Sequence, residues 1–157
     1  MYTPNMLSYR HAFHAGNHAD ILKHLCLVGV LESMTKKDKN FTAIDAHAGA
    51  GIYFLDDERA IKTGESQVGI LSLYQKFLAN KENSEIPNLV KNYLQFVEPY
   101  LKNNQYPGSP EIIRKFLRSG DKEFLFELHN TEIEILKSNI KDSRVTILHQ
   151  NSFENLK

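Results

Sequence analysis

The sequence predicts an α/β domain built on a parallel sheet of the doubly wound kind. Three observations carry that expectation. Short apolar strands at residues 41–45, 123–128 and 145–148 alternate with segments whose apolar residues recur every three to four positions. A bend of small residues, Ala46 to Gly51, directly follows the first strand. The chain has 157 residues, the length of one domain, enough to bury about 70% of the surface its unfolded form exposes.

Each element has a local cause. Asn17 is suited to cap the first helix, and Ile21, Leu25, Val28 and Leu31 fall at helical spacing behind it, which carries the helix to about Met34. The polar run 35–40 leads into the strand Phe41-Thr-Ala-Ile-Asp45. Helical spacing returns at 69–78 and 87–97, with 81–84 as the loop between them. Tyr106-Pro-Gly-Ser-Pro110 reads as a turn that launches a helix, with Ser109 as its cap and Pro110 in its first turn. That helix sets Ile112, Ile113, Phe116 and Leu117 on one side. A strand at 123–128, a helix capped by Asn130 and running through Ile140, and a strand at 145–148 complete the order. A simple crossover needs one helix; the stretch after the first strand holds two, so residues of about 54–105 read as a helical insertion. No internal repeat or low-complexity segment is present.

Composition narrows the function classes. Nineteen basic residues balance nineteen acidic ones, which excludes a uniformly basic nucleic-acid coat and an acidic tail but permits a local patch. The single cysteine, Cys26, supports neither a disulfide framework nor a thiolate zinc cluster, and is expected as a small buried hydrophobe. The opening Met1-Tyr-Thr-Pro-Asn-Met6 lacks a basic stretch followed by an apolar one, so no signal peptide is expected. No apolar run approaches the ~20 residues that span a bilayer. These features together predict a cytoplasmic protein.

Four constellations carry chemistry. In Asp45-Ala-His-Ala-Gly-Ala-Gly51 the alternate glycines, Gly49 and Gly51, let backbone approach a ligand closely. The third glycine of a dinucleotide loop and the Lys-Ser/Thr of a P-loop are both missing, which disfavours phosphate. An acidic residue before such a bend suits a ligand bearing an ammonium and a carboxylate; the alternative is a tight strand-to-helix turn. Glu127, at the end of the next strand, stands where a carboxylate receives ribose hydroxyls, and the insertion explains why it lies further on than the usual ~20 residues. Otherwise it is a surface carboxylate. His11, His14, His18, His24 and His47 crowd the first third of the chain beside Asp20 and Asp45, which makes a metal site a rival reading. His14 and His18 are four apart but lack the flanking Glu of a zinc protease, so separate polar roles are favoured. Finally, Tyr9-Arg-His11 and Phe13-His-Ala-Gly16 mix cations and rings, as single-stranded base recognition does; an arm packed on the core reads equally well.

Read together, these residues resemble a known family. Met6-Leu-Ser-Tyr-Arg-His11, Phe13-His-Ala-Gly-Asn-His-Ala-Asp20, Leu22-Lys-His24, Asp45-x-His-Ala-Gly-Ala-Gly51, Tyr106-Pro-Gly-Ser-Pro110 and Glu127-Leu-His129 are similar, in order and spacing, to the bacterial ribosomal RNA large subunit methyltransferase J family. The resemblance runs from Met6 to the last residue. It implies a Rossmann-like class I S-adenosylmethionine-dependent methyltransferase fold, here truncated after the third strand, so that residues 1–157 form the N-terminal part of the domain. It also implies transfer of a methyl group from S-adenosyl-L-methionine to the exocyclic amine of an adenine in 23S rRNA, with no metal and no membrane.

The resemblance implies site residues too. His24 and His47 flank the cofactor, Ser109 meets its amino-acid end and Glu127 its ribose, with Gly49 and Gly51 in the bend. Asn151 and Ser152 stand where the family carries the Asp that holds the adenine. Tyr9, His11 and Lys23 face the substrate adenosine. The family's Asp-Pro-Pro-Tyr-like motif has no counterpart: prolines occur only at 4, 87, 99, 107 and 110, none adjacent. The chain therefore holds most of a cofactor pocket and no catalytic residue of that motif, and it is expected to be inactive alone. The complete enzyme is expected to be monomeric, and this chain to self-associate through an open sheet edge. The alternatives are a non-catalytic S-adenosylmethionine- or nucleotide-binding module and a His-rich metal-dependent hydrolase.

Overall fold

The computed structural model describes residues 11–80 and 85–155. Tyr9, residues 6–10 of the first motif and the expected loop 81–84 lie outside them. A short 3-10 turn, His11–Phe13, leads to α1, His18–Thr35. Asn17 caps α1 as expected, its side-chain oxygen accepting the Asp20 N–H at 2.9 Å. Then come β1 (Thr42–Asp45), β2 (Ile52–Phe54), α2 (Glu58–Thr63), a π-helical turn at Gln67–Leu71, α3 (Ser72–Ala79) and α4 (Asn88–Leu101). The chain continues through β3 (Gln105–Pro107), α5 (Ser109–Phe116), β4 (Lys122–Phe126), α6 (Asn130–Asn139), β5 (Val145–Leu148) and α7 (Ser152–Asn155).

The parallel sheet has the order β1-β4-β5, with Ala43 opposite Glu123, Asp45 opposite Leu125, and Leu125 opposite Ile147. Paired residues of parallel strands share a face. The face carrying Ala43, Glu123 and Leu125 is covered: Ala43 packs on the core that includes Ile112, Ile113 and Leu117, and Leu125 packs on Ile133, Leu136 and Ile140 of the α6 region. The other face carries Thr42, Ile44, Phe124 and Thr146. Ile44 is 53% exposed, and Thr42 and Thr146 are exposed as well. A doubly wound sheet has helices on both faces; among the described residues this one is layered on one face only. The expectation is met in the parallel direction of the strands, not in a second layer.

The insertion contributes more than helices. β2 and β3 pair antiparallel, Tyr53 opposite Tyr106, into a two-stranded ribbon that sequence reading missed. Each strand is three residues long and their partners lie about fifty residues apart, so neither alternation nor a hairpin turn announces them. Tyr93, Leu94 and Val97 of α4 are buried in one core with Tyr106, Ile112 and Val28 of α1, so the insertion packs against the first helix.

Three local expectations are corrected. Cys26 is exposed, on the outward side of α1 with Leu22 and Val30, because the buried side is the one bearing Ile21, His24, Val28 and Leu31. Ser109 does not cap α5; Gly108 occupies the cap position and Ser109 is the first helical residue. Asn130 likewise begins α6, which His129 caps by accepting the Thr131 N–H on Nδ1 at 3.1 Å.

Candidate functional site

The carboxyl ends of parallel strands are where open α/β sheets leave room for ligands. Here the ends of β1, β4 and β5 converge on a cavity of about 510 Å³, closed on the far side by α1, Tyr53 of β2 and the start of α5. That volume falls within the ~300–1,000 Å³ typical of small-molecule sites.

The bend after β1 forms the floor. Gly49 has φ +60°, and a Cβ there would stand 2.2 Å from the Tyr53 hydroxyl, so backbone geometry and space both require glycine. Its N–H donates to Glu127 Oε2 at 2.8 Å, and the His129 N–H donates to Glu127 Oε1 at 2.7 Å. One carboxylate thus fastens the bend to the end of β4. Each carboxylate oxygen has two acceptor sites, so Glu127 retains capacity for a ligand hydroxyl. Gly51, expected at the ligand, is not a cavity residue. Its φ of +75° turns the chain under α6, where a Cβ would meet Leu136 at 2.9 Å, and its carbonyl accepts the Gly108 N–H at 2.8 Å. It supports the site from behind.

His24 lines the cavity, buried, with Nδ1 2.9 Å from the Tyr106 hydroxyl. Burial lowers its pKa to about 4, outweighing the opposite pull of Asp20, so the ring is neutral at pH 7. His47 and Phe153 stand at the rim with ring centroids 5.6 Å apart, and Phe153 is 76% exposed. Ser109 lines the cavity from the first turn of α5. Asn151 and Ser152 line it after β5, but the Asn151 side chain is engaged within its own turn: Oδ1 accepts the Phe153 N–H at 3.1 Å, and Nδ2 donates to Glu154 at 3.0 Å.

The first helix supplies a charged corner. Asp20 is buried, and one of its oxygens accepts from His11 Nε2 at 2.8 Å and from the Gly16 N–H at 3.0 Å; the other pairs with Lys23 Nζ at 2.8 Å. Burial would raise the Asp20 pKa, but the His11 and Lys23 bonds outweigh it and hold it at about 2. His11 and Lys23 line the cavity as expected, and His11 also meets the Tyr53 ring edge-on at 5.2 Å. Tyr9 lies outside the described residues.

Asp45 departs from its expectation. Its side chain is not part of the cavity lining; one oxygen accepts the His47 N–H at 3.1 Å and the other is buried without a partner among the described residues. It shares the covered face of the sheet with Glu123, which points it away from a ligand ammonium. Asp20, Tyr53, Glu132 and Phe153 line the cavity although sequence reading did not place them at the site. Asp20 did carry a signal, as the end of the Phe13–Asp20 motif beside the crowded histidines. Among the described residues no three His, Cys, Asp or Glu side chains gather at metal-binding range. The crowded histidines disperse instead: His11 bonds Asp20, His14 bonds Glu65 at 2.7 Å, and His24 bonds Tyr106.

Fold and cavity together define a parallel-sheet α/β protein whose cavity opens at the strand ends around a glycine bend. The chain belongs to the family described as Ribosomal RNA large subunit methyltransferase D, RlmJ, whose model matches residues 38–157. Ribosomal RNA large subunit methyltransferase J of Escherichia coli (strain K12) is 42% identical over 156 residues, which cover 97% of this chain and 53% of that protein. The protein of the same name from Haemophilus influenzae (strain ATCC 51907 / DSM 11121 / KW20 / Rd) is 38% identical over 157 residues, with the same two coverages. The chain thus spans about half the length of these curated relatives. The crystal structure of protein LPL1258 from Legionella pneumophila str. Philadelphia 1 superposes with a TM-score of 0.74 at 32% identity, covering 91% of this chain and 51% of that one. The family resemblance read from the motifs is therefore correct. No helix among the described residues is long and apolar enough to cross a membrane.

Proposed function

We propose that this chain forms the cofactor-binding part of an enzyme that methylates the exocyclic amine of an adenine in 23S rRNA in the cytoplasm, with S-adenosyl-L-methionine as donor. One observation carries the reading. The Glu127 carboxylate and the Gly49 bend, far apart in sequence, are joined at 2.8 Å and line a single cavity, where they can receive a ribose. The donor set fits such a nucleoside: a carboxylate for the ribose hydroxyls, rings and an Asn-Ser pair for a base, and His24 with Ser109 for an amino-acid tail.

S-adenosylmethionine, when bound, supplies an electrophilic methyl group on a sulfonium. Glu127 accepts the ribose hydroxyls while its two backbone donors keep it oriented. His47 and Phe153 enclose a base at the rim, and Asn151 and Ser152 border its edge. Lys23 and His11 sit on Asp20 at the opening, placed to meet the incoming adenosine. Catalysis of this type is chiefly alignment of an unstacked base. The sequence has no adjacent prolines and so no Asp-Pro-Pro-Tyr-like group to orient the amine.

Calorimetry with S-adenosylhomocysteine is expected to show saturable binding by this chain, and Glu127→Ala to weaken it at least tenfold through loss of charge-assisted bonds. A radiolabelled methyl-transfer assay on unmodified rRNA is expected to show no turnover by this chain. Robust transfer would overturn the inactivity, and absence of binding would overturn the cofactor assignment.

A further inference from the structure

The insertion reaches the cavity through one line of polar atoms. The Tyr93 hydroxyl of α4 lies 2.8 Å from the Tyr106 hydroxyl of β3, which lies 2.9 Å from His24 Nδ1. All three side chains are buried, and both tyrosines are fully so. The Tyr106 ring also stacks on the imidazole, with centroids 5.3 Å apart and planes 25° apart, and Tyr93 meets it edge-on at 6.4 Å. Neither hydroxyl has a further side-chain partner among the described residues, and neither does His24 Nε2, whose ring lines the cavity.

Proton counting gives this line a direction. If His24 Nδ1 carried the proton and donated to Tyr106, Tyr106 would donate to Tyr93, and the Tyr93 proton would be buried with no acceptor. Orphaned buried donors are the rarer and costlier fault. In the other direction Tyr93 donates to Tyr106, Tyr106 donates to Nδ1, and both phenol protons have buried partners, leaving the imidazole's own proton on the ring that lines the cavity. The imidazole proton then sits on Nε2. Burial, opposed by Asp20 and helped by Lys23 and His11, keeps the ring uncharged, but burial does not choose between tautomers. The phenols do.

We propose that Tyr106, backed by Tyr93, is a positioning residue that locks His24 as the neutral Nε2–H tautomer, so that the ring presents a fixed donor to an acceptor oxygen of the ligand. Resting on the cofactor reading, this assigns His24 to the carboxylate of an amino-acid tail, and an uncharged ring there does not repel a neighbouring sulfonium. The insertion is thereby part of the site as well as of the core.

The test is nitrogen-15 NMR of histidine-labelled chain, with and without S-adenosylhomocysteine. In the unsubstituted protein His24 is expected to show an unprotonated Nδ1 and a protonated Nε2 that persist down to about pH 5. Tyr106→Phe is expected to yield a mixture of tautomers, to move the ring's titration upward and to weaken S-adenosylhomocysteine by about tenfold. Tyr93→Phe, which leaves the inner bond in place, is expected to act in the same direction more weakly. An Nδ1–H tautomer in the unsubstituted protein, or a single unchanged tautomer in Tyr106→Phe, overturns the proposal. Should Tyr106→Phe fail to fold, the unsubstituted and Tyr93→Phe spectra decide it. Failure of S-adenosylhomocysteine to bind the unsubstituted chain would refute the cofactor reading, while the tautomer spectrum still judges the tyrosine chain.

Discussion

Glu123 sits fully buried on β4 with neither carboxylate oxygen hydrogen-bonded to a described residue. Burial first, and then the Asp45 charge, raise its pKa from 4.5 to about 9, against the pull of Arg114. The folded protein therefore keeps a proton that the unfolded chain releases above pH 4.5. Stability is expected to fall as pH rises from about 4.5 to about 9, by up to ~1.4 kcal/mol per pH unit. Glu123→Gln is expected to remove that slope and to raise the denaturation midpoint at pH 8; an unaltered pH dependence in urea titrations would count against it. His24 works at the opposite end. Its folded pKa of about 4 lies below the ordinary 6.5, so the unfolded chain takes up a proton the folded one refuses, and stability is lost as pH falls from 6.5 toward 4. Glu127 was legible at this scale because its chemistry is local: a carboxylate at a strand end. Asp45 was misread because the face its side chain takes depends on the register with Glu123, which no local pattern states.

The elements around the site are held by close backbone approaches. At the π-helical turn Gln67–Leu71, Gly69 has φ −87° and ψ −111°, and the Ile70 N–H donates to the Gly16 carbonyl at 2.9 Å. A Cβ on Gly69 would stand 2.1 Å from that carbonyl and 3.0 Å from Asn17 Cα. The obstacle is backbone, which cannot swing aside. Gly69→Ala is thus expected to destabilise the protein by about 2 kcal/mol or more and, by shifting the cap of α1, to loosen the Asp20 corner and weaken ligand binding; chemical denaturation and calorimetry read the two effects. Helices α1, α4, α5 and α6 were legible because each repeats its apolar residues over two or more turns. The π turn and the β2–β3 ribbon were not, since both exist only through partners distant in sequence.

For the whole molecule the salient feature is what remains uncovered. β1 ends the sheet, with no neighbour on its outer edge among the described residues, and the face bearing Ile44 has no helix over it. On α1, Leu22, Cys26 and Val30 form an exposed apolar stripe at i, i+4 spacing. Open strand edges and apolar patches recruit partners. Sedimentation of this chain at high concentration is expected to show dimers or larger species, and Ile44→Lys to reduce them; a single monomeric boundary across the concentration range would contradict this.

Periodicity, turn residues and motif order, all properties of neighbours along the chain, were enough to yield the parallel α/β plan, the family and part of the cavity lining. The amino-acid order did not disclose which carboxylates turn toward the cavity, that Gly51 serves from behind, that the insertion reaches His24 through two tyrosines, or that one face of the sheet stays bare. Those depend on register and packing between segments fifty or more residues apart, and such contacts are selected by the collective fit of the core, not by any short stretch within it.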